Sequence, residues 1–335
     1  MDYRQLGRTG VKVSPLCLGC MMFGGKTGPE DSYAIINRAL EAGINFLDTA
    51  NVYSRGRSEE VTGEAIKRSG KRDKLILATK VHGVMDENDP NGSGNSRRHI
   101  IQQCEASLRR LQTDYIDLYQ IHRPQSSIPI DETLRALDDL IRAGKVRYIG
   151  TSTFAAWQVL ESLWIAKELG LNRFICEQPP YHILDRRVER ELLPMARTYG
   201  IATIPWSPLA GGLLTGKYDR NTTPPADSRF ADVESNPRLR ARMVEAVFDV
   251  VDGLKPLAQA KGCTISQLAL AWCVAQPGVT SPIIGPRTME QLEDNLGALT
   301  VSLNADDLAA IDQLVPPGRM VSPFYEADFG PSQYR

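Results

Sequence analysis

The sequence predicts an α/β protein: a closed (β/α)8 TIM barrel with an N-terminal β-hairpin and long loops at the carboxyl-terminal face of its strands. Short runs rich in β-branched and aromatic residues alternate with helical patterns along the chain, which is typical of a parallel sheet built from βα units. There are eight such runs, and eight strands close this barrel. Because barrels routinely use a length like these 335 residues as one domain, we expect residues 1–335 to form a single domain.

The predicted strands are short and apolar, and turn or polar residues follow each of them. They cover residues 16–19, 45–48, 75–79, 115–120, 146–150, 174–178, 202–206 and 281–284. Before them, residues 3–13 contain two extended pieces with Gly7 and Gly10 between them. This pattern predicts a hairpin that covers one end of the barrel.

Two of the helices between these strands have readable ends. Ser96 is a favoured N-cap residue, and an apolar stripe with nearly helical spacing follows it. Asp131 is predicted to cap the next helix, and Gly144 to end that helix before the strand at 146–150. Each helix can therefore bury one face against the same sheet.

Three segments are too long and too irregular to be simple connections: 84–95, 217–237 and 316–335. In a barrel, long excursions after strands lie at the carboxyl-terminal face, where active sites are built. We expect these segments to be lids over a site.

Composition excludes several classes of function. The 39 Lys and Arg residues and 40 Asp and Glu residues leave a net charge of -1, which gives no electrostatic case for binding nucleic acid. Apolar residues make up 42% of the chain, as in globular domains, and no uncharged run approaches the ~18 residues of a membrane span. Asp2 follows Met1 without an apolar segment, so we expect no secretory signal, no membrane association and a cytoplasmic location.

The six cysteines are scattered along the chain, mostly in apolar stretches, as expected for reduced and buried thiols. Cys17 and Cys20 form a C-x-x-C pair. No second pair and no histidine cluster accompanies them, so we expect neither a metal site nor a redox role.

Ionisable side chains stand at the carboxyl ends of three successive predicted strands. Asp48, Lys80 and His122 each end or follow one of these strands, and Tyr53 comes five residues after Asp48. In a barrel these ends meet at one mouth, so we expect the four side chains to converge there.

Each of these residues also has a purely structural interpretation: a helix cap, a solvated strand end, a loop histidine or a packing aromatic. Their coincidence favours chemistry, because a lysine buried beside an aspartate is costly unless the two pair. An adjacent ammonium ion favours the phenolate form of a tyrosine. Tyr53 is therefore a candidate general acid, and His122 a candidate hydrogen-bond donor to the same oxygen. The target predicted by this set is a carbonyl oxygen that becomes an alkoxide.

The run from Gly43 to Tyr53, GINFLDTANVY, resembles the first signature of the aldo-keto reductase superfamily. Asp48, Tyr53, Lys80 and His122 fall on the catalytic tetrad of that family, and the resemblance extends over residues 3–314. It implies a (β/α)8 barrel and NADPH-dependent reduction of aldehydes and ketones. Hydride would pass from the nicotinamide to the carbonyl carbon while the tyrosine protonates the oxygen.

No G-x-G-x-x-G follows a strand, so a Rossmann site is not expected, and the NADP(H) site follows from the resemblance alone. It places Ser152, Thr153 and Gln178 at the nicotinamide carboxamide and Trp206 against the nicotinamide ring. Residues 206–217 resemble the pyrophosphate loop of the branch that includes potassium-channel β subunits. The positions carried over from this loop are Ser207, Pro208, Leu209, Ala210 and Gly211.

Further cofactor positions follow from the same resemblance. Lys217 and Arg229 would face phosphates. The adenosine end matches Gly285, Arg287, Gln291, Asp294 and Asn295. Arg287 can pair with a 2′-phosphate in a fork, which favours NADP over NAD; its alternative is a solvated position at the start of a helix.

This sequence departs from the family pattern at three places. Thr153 stands where many members have Asn, and Gly285 with Pro286 replaces the Lys-Ser pair that many smaller members use for the 2′-phosphate. Met21 stands where many relatives carry a pocket Trp, which predicts a wider mouth. We expect specificity to lie in the loop after residue 81 and in two groups of side chains: Met21, Met22 and Phe23, and Phe324, Tyr325, Phe329 and Tyr334 of the tail.

Three functions remain open on the sequence. The first is a carbonyl reductase with a small-molecule substrate, and the second is an NADPH-binding regulatory module with little turnover. His122 favours the first, because the regulatory branch typically has Asn there. The third, a lyase or isomerase with Lys80 as a Schiff base, fits poorly beside an acidic partner that keeps the lysine protonated. The sequence specifies neither the substrate nor the oligomeric state.

Overall fold

The computed structural model describes residues 1–220 and 222–322, and within these ranges an antiparallel hairpin precedes one sheet of eight parallel strands. The hairpin consists of β1 (Arg4–Gln5) and β2 (Lys12–Val13). The sheet consists of β3 (Cys17–Gly19), β4 (Phe46–Asp48), β5 (Ile76–Val81), β6 (Ile116–Ile121), β7 (Val146–Ser152), β8 (Cys176–Gln178), β9 (Ala202–Thr203) and β10 (Ile283–Ile284).

The sheet closes on itself. β10 pairs with β3, and the strands then follow chain order to β9. The open edges meet through three backbone hydrogen bonds: from Ile283 N to Pro205 O (2.8 Å), and from Thr280 N (2.8 Å) and Ser281 N (3.4 Å) to Thr203 O. The predicted (β/α)8 barrel is therefore confirmed. Strands β9 and β10 are shorter than predicted because Pro205 and Pro282 have no N–H for the ladder.

Within the part of the chain that the structure describes, helices surround the sheet, with one α-helix after each strand from β3 to β8, three between β9 and β10, and two after β10. They are α1 (Pro29–Glu41), α2 (Arg57–Ser69), α3 (Arg97–Leu111), α4 (Ile130–Arg142), α5 (Ala156–Glu168), α6 (Leu192–Tyr199), α7 (Pro237–Arg242), α8 (Glu245–Ala260), α9 (Ile265–Ala275), α10 (Met289–Gly297) and α11 (Ala305–Leu314). None of the helices within the described ranges combines the length and the apolarity that crossing a membrane requires.

Two of the three predicted helix-end residues are confirmed. The Ser96 hydroxyl accepts a hydrogen bond from His99 N at the start of α3, and Gly144 follows α4 with a φ of +73°. Asp131 is not the cap, because α4 begins one residue earlier after Pro129. The carboxylate of Asp131 lies instead in the first helical turn, where it complements the helix dipole.

The hairpin covers the amino-terminal end of the barrel, as predicted. Leu6 and Val13 are fully buried in the barrel interior with Phe46 and Leu118. The Arg4 guanidinium fixes the hairpin from outside, since Nη1 donates to backbone carbonyls beyond α9, including Val279 O at 3.0 Å. The opposite end is left to the loops that follow the strands, and the long segments 84–95 and 217–237 follow β5 and β9 there.

The C-x-x-C pair is split between two apolar layers. Cys17 faces the barrel interior, whereas Cys20 packs between the sheet and the helices. Both thiols are fully buried, and burial raises the pKa of Cys20 to about 12. The two thiols therefore face opposite sides of the sheet and do not share a site.

We predict that Gly63→Ala destabilises the barrel. An added Cβ at Gly63 in α2 would lie 2.5 Å from Leu111 O at the end of α3, so the two helices must separate. Overpacking of this kind costs about 1–3 kcal/mol, measured as the free energy of unfolding in urea. Gly10→Ala is the control, because no atom lies within 4 Å of its added Cβ. Equal stability of the two variants would contradict this packing.

Candidate active site

Three strands bring the predicted ionisable residues to one end of the barrel. Asp48 is the last residue of β4, Lys80 is the penultimate residue of β5, and His122 directly follows β6. Tyr53 begins a short 3-10 turn after β4. The turn continues through three residues with positive φ, namely Ser54, Arg55 and Gly56. This tight bend returns the chain over the mouth and sets the position of Tyr53.

Lys80 is fully buried and doubly bound. Its Nζ donates hydrogen bonds to Asp48 Oδ1 and to Thr49 O, the latter at 2.8 Å. Burial acts to lower the pKa of Lys80, but the charge of Asp48 and the nearby Tyr53 outweigh burial, so the pKa of Lys80 is raised. The side chain is therefore an ammonium ion at neutral pH.

Asp48 is the hub of the buried network. Its second oxygen, Oδ2, accepts hydrogen bonds from Gln120 Nε2 and Gln178 Nε2, each at 3.0 Å. Both carboxylate oxygens are thus engaged although only 3% of the residue is exposed. A buried charge persists only with such partners, so one carboxylate joins strands β4, β5, β6 and β8.

Tyr53 lies over the lysine. Its Oη is 3.5 Å from Lys80 Nζ, and the edge of its ring meets His122 with centroids 5.5 Å apart. Burial lowers the pKa of His122 well below its usual value, and the charges of Lys80 and Arg123 lower it further. His122 is therefore a neutral imidazole that can donate one hydrogen bond.

The four side chains meet around one point at the mouth. Lys80 Nζ contacts both the Asp48 carboxylate and Tyr53 Oη, and the Tyr53 ring contacts the neutral imidazole of His122. Such a set can donate a proton to an oxygen that gains negative charge, and can stabilise that charge as it forms. The predicted convergence of Asp48, Tyr53, Lys80 and His122 is present in the structure.

The three residues expected at a nicotinamide carboxamide also lie together. Ser152 Oγ and Thr153 N both donate to Gln178 O, at 3.0 and 3.1 Å. Because the amide of Gln178 also binds Asp48, this group is joined directly to the tetrad. Thr153 has a φ of +64°, an outlier for a β-branched residue.

The prediction from sequence missed Arg123 at this junction. Its Nη1 donates to His122 O at 2.7 Å and to Thr153 Oγ1 at 2.9 Å. The guanidinium therefore links the tetrad to the end of β7. Its position directly after His122 was the available signal, since charged residues that follow barrel strands lie at the mouth.

The loop after β9 forms a tight cradle. Half-buried Trp206 precedes Ser207 and Ala210, which both have positive φ (55° and 51°), as do Gly211 and Gly212. Successive turns hold the loop through hydrogen bonds from Ala210 N to Ser207 O and from Gly212 N to Leu209 O, both 2.8 Å. Pro208 is buried within the loop. Strained, glycine-rich backbone of this kind is characteristic of ligand-binding loops.

Three cations lie together near this loop. Partial burial lowers the pKa of Lys217, and the charges of Arg287 and Arg229 lower it further. Arg287 also acts on Arg229. Arg287 spans the gap between two loops, since Nη1 donates to Asp227 O at 2.5 Å. The Asp227 carboxylate, 3.4 Å from Arg287 Nη2, offsets part of the repulsion among these cations, and a bound anion would offset more of it.

The remaining predicted cofactor residues lie between the end of β10 and the second half of α10. Gln291 Oε1 accepts from Arg287 N at 2.8 Å, and Asp294 Oδ1 accepts from the Thr264 hydroxyl at 2.8 Å. Asn295 is buried, and Gly285 borders open space. Gln291 and Asp294 therefore stabilise the surrounding protein structure through these hydrogen bonds, in addition to any contact with a ligand.

The prediction that Phe23 contributes to substrate specificity is wrong. Phe23 is fully buried in the layer between the sheet and the helices, so it cannot line a mouth. Met21 is 39% exposed and Met22 is half-buried, so both remain available. The tail aromatics lie outside the described residues: Phe324, Tyr325, Phe329 and Tyr334.

Comparison with known proteins identifies the family. The sequence model described as "Aldo/keto reductase family" matches residues 15–316. The chain belongs to the aldo/keto reductase family. This aldo/keto reductase is 41% identical over 305 residues to a "Probable voltage-gated potassium channel subunit beta" of Arabidopsis thaliana, covering 90% of this chain and 92% of the relative. A protein of the same description from Oryza sativa subsp. japonica has the same identity and coverage.

A bacterial relative points toward catalysis. The "Uncharacterized oxidoreductase YrpG" of Bacillus subtilis (strain 168) is 39% identical over 329 residues, which are 95% of this chain and 97% of that protein. The family and this relative together indicate that the chain is an oxidoreductase.

We predict that Lys80→Met destabilises the protein by about 3–5 kcal/mol, because it leaves the buried Asp48 carboxylate without a cation. The free energy of unfolding in urea measures this loss. The double variant Asp48→Asn/Lys80→Met removes both charges and should recover most of the loss. Arg38→Met, which breaks the exposed pair of Arg38 with Glu293, is the control and should change stability far less, because solvent screens an exposed pair. A Lys80→Met cost equal to that control would contradict the ion pair's importance.

Proposed function

We propose that this aldo/keto reductase reduces aldehydes or ketones with NADPH, with Tyr53 as the proton donor. The observation that carries the proposal is the buried cluster in which Tyr53 Oη lies 3.5 Å from the Lys80 ammonium. A positioned donor beside a fixed positive charge suits a carbonyl oxygen that becomes an alkoxide. Such an oxygen needs a proton and needs stabilisation of its charge.

Each member of the tetrad has a separate task. Tyr53 gives its proton to the carbonyl oxygen, and Lys80 stabilises the phenolate that remains. Asp48 holds Lys80 charged and in place. Neutral His122 can donate a hydrogen bond to the same oxygen without competing as an acid.

The residues around the mouth fit a phosphorylated dinucleotide. When bound, the reduced nicotinamide supplies a hydride. Ser152, Thr153 and Gln178 offer polar groups for its carboxamide, and half-buried Trp206 offers an aromatic face. The loop residues Ser207, Pro208, Leu209, Ala210 and Gly211 would follow the pyrophosphate.

The three cations support the NADP form of the cofactor. The mutual repulsion of Lys217, Arg229 and Arg287 would be relieved by phosphates. Arg287 is the proposed ligand of the 2′-phosphate, and its bond to Asp227 would tie the loop to that end of the site. The proposed adenosine positions remain Gly285, Gln291, Asp294 and Asn295.

The alternative is an NADPH-binding regulatory module with little turnover. The 41% identity to proteins described as probable potassium channel β subunits favours it. The complete tetrad, with His122 against the Tyr53 ring, favours catalysis. Schiff-base chemistry at Lys80 is disfavoured because the raised pKa keeps its amine protonated.

We place the protein in the cytoplasm, since all six cysteines are free thiols.

Tyr53→Phe tests the proton donor. We expect steady NADPH consumption with a panel of aromatic and aliphatic aldehydes to fall by about 10²–10⁴-fold, the usual contribution of a general acid, while NADPH binding persists. Tyr115→Phe, which removes a hydroxyl bound to exposed Asp73, is the matched control and should keep full activity. Retention of most activity in Tyr53→Phe would exclude Tyr53 as the donor. Absence of turnover in the wild type, with tight NADPH binding, would support the regulatory alternative.

Arg287→Ala tests the cofactor preference. We expect the Kd of NADPH to rise by at least tenfold, the scale of a lost charge-assisted hydrogen bond, and the Kd of NADH to change little. Arg38→Ala, which removes an exposed cation paired with Glu293 of α10, should change neither. Equal weakening of NADPH and NADH by Arg287→Ala would show that Arg287 does not read the 2′-phosphate.

A further inference from the structure

Glu177 is a fully buried carboxyl group directly behind the proposed nicotinamide site. It lies in β8 between Cys176 and Gln178, whose side chains point into the barrel. Because neighbours in a strand alternate between faces, Glu177 points the other way, toward the helices. Its exposure is 0%. Neither the tetrad nor the cofactor residues account for a buried acid at this position.

The contacts of Glu177 lead to the turn that ends β7. Its Oε1 accepts a hydrogen bond from Phe154 N at 3.1 Å. The preceding amide, Thr153 N, donates to Gln178 O at 3.1 Å. Two successive residues of β8 thus hold two successive amides of the turn.

The turn needs such holding because Thr153 is strained. Its φ of +64° is unfavourable for a β-branched residue, and such strain persists only where the surroundings enforce it. Ser152 and Thr153, the residues proposed for the carboxamide, lie in this turn. Loss of the Glu177 contact would free the backbone at Phe154 and let Thr153 relax.

We propose that Glu177 is a positioning residue that clamps the strained turn 152–154 and so preorganises the nicotinamide carboxamide site. The inference rests on the proposed function for the identity of the ligand. It adds a cause for the conformation that presents Ser152 and Thr153. Preorganisation of this kind improves affinity because binding no longer has to order the turn.

The second oxygen of Glu177 indicates the protonation state of the clamp. Within the described residues, Oε2 has no hydrogen bond of ordinary geometry, and neither does the Thr203 hydroxyl. Thr203 in β9 and Thr151 in β7 both lie opposite Glu177 and on the same face of the sheet. A protonated Glu177 gives both groups a hydrogen-bond partner, because the O–H of a carboxylic acid can donate to the Thr203 hydroxyl directly or through a buried water.

The surroundings of Glu177 agree with a neutral acid. Burial raises the pKa of Glu177 to about 8, although the Thr151 hydroxyl, the amides of Phe154 and Thr153, and the charge of Arg123 all act to lower it. The Cys176 thiol on the same strand is the other titratable group that interacts with it. The carboxyl group is therefore largely protonated at neutral pH.

The experiment compares two substitutions of Glu177. Glu177→Gln keeps an acceptor for Phe154 N and a donor toward Thr203, whereas Glu177→Leu removes both. We expect Glu177→Leu to raise the Kd of NADPH by about tenfold, the scale of one buried hydrogen bond, and Glu177→Gln to restore wild-type affinity. Fluorescence titration with NADPH measures both.

The control is Asp117, a carboxyl group far from the mouth that also accepts from a backbone amide and that pairs in addition with Arg72. Asp117 Oδ2 accepts from Leu77 N at 3.0 Å near the amino-terminal end of β6. Asp117→Leu should lower thermal stability without changing the Kd of NADPH. An equal effect of Asp117→Leu and Glu177→Leu on that Kd would overturn the proposal, because general loosening would then explain both.

The pH dependence of the free energy of unfolding gives a second test of the proposal. The folded protein keeps the Glu177 proton up to a pKa of about 8, whereas the unfolded chain releases it near the ordinary value, about 4.3. The wild type should therefore lose stability as pH rises between these values. Glu177→Gln, which cannot ionise, should lack this component of the slope. Identical slopes for the two proteins would overturn the neutral clamp.

Hydrogen exchange at the Phe154 amide supplies a reading that needs no folded Glu177→Leu protein. We expect slow exchange in the wild type before NADPH is added, and exchange as fast as in exposed loops would overturn the clamp.

The outcomes of these experiments distinguish the proposed function from the proposed clamp. A wild type that binds no NADPH contradicts the proposed function, whereas tight binding that Glu177→Leu leaves unchanged contradicts only the clamp.

Discussion

The buried pair of Lys80 and Asp48 is the interaction on which the rest of the site depends. An ammonium ion without solvent exposure is unstable unless a counter-charge meets it, and Asp48 supplies that charge at the end of the adjacent strand. The same carboxylate binds Gln120 and Gln178. The proton-donating cluster and the proposed carboxamide site are therefore one network. A substitution that leaves either charge unpaired must alter both the position of Tyr53 and the support of β8.

The two sides of the barrel mouth differ in the burial and the sign of their charged groups. On the side of β4 to β6, the cluster is compact, and burial keeps His122 neutral while Asp48 keeps Lys80 charged. On the side of the β9 loop, Lys217 and Arg287 lie close enough to repel each other. The first arrangement suits proton donation, and the second suits an anion. This division agrees with the proposal that one rim binds both a small carbonyl compound and a phosphorylated dinucleotide.

The sequence predicts those features that depend on local hydrophobic periodicity and on the residues at the ends of strands. The eight strands, the hairpin and the four converging residues follow from local pattern and from the rule that strand ends meet at one face. Arg123, Glu177 and the burial of Phe23 depend on contacts between strands or between the sheet and the helices, which local pattern does not encode. The start of α4 before Asp131 depends on Pro129, a competing signal two residues away. The cofactor positions came from resemblance, because no glycine fingerprint marks this site.

The most direct measurement is single-turnover hydride transfer from bound NADPH to a reactive aldehyde in the wild type and in Asp48→Asn/Lys80→Met. The double variant removes both buried charges without leaving one unpaired, so the barrel should stay folded. If the pair positions the proton donor, the double variant should bind NADPH but transfer hydride at least about 10²-fold more slowly. A folded double variant that transfers hydride at the wild-type rate would contradict the central role of the pair.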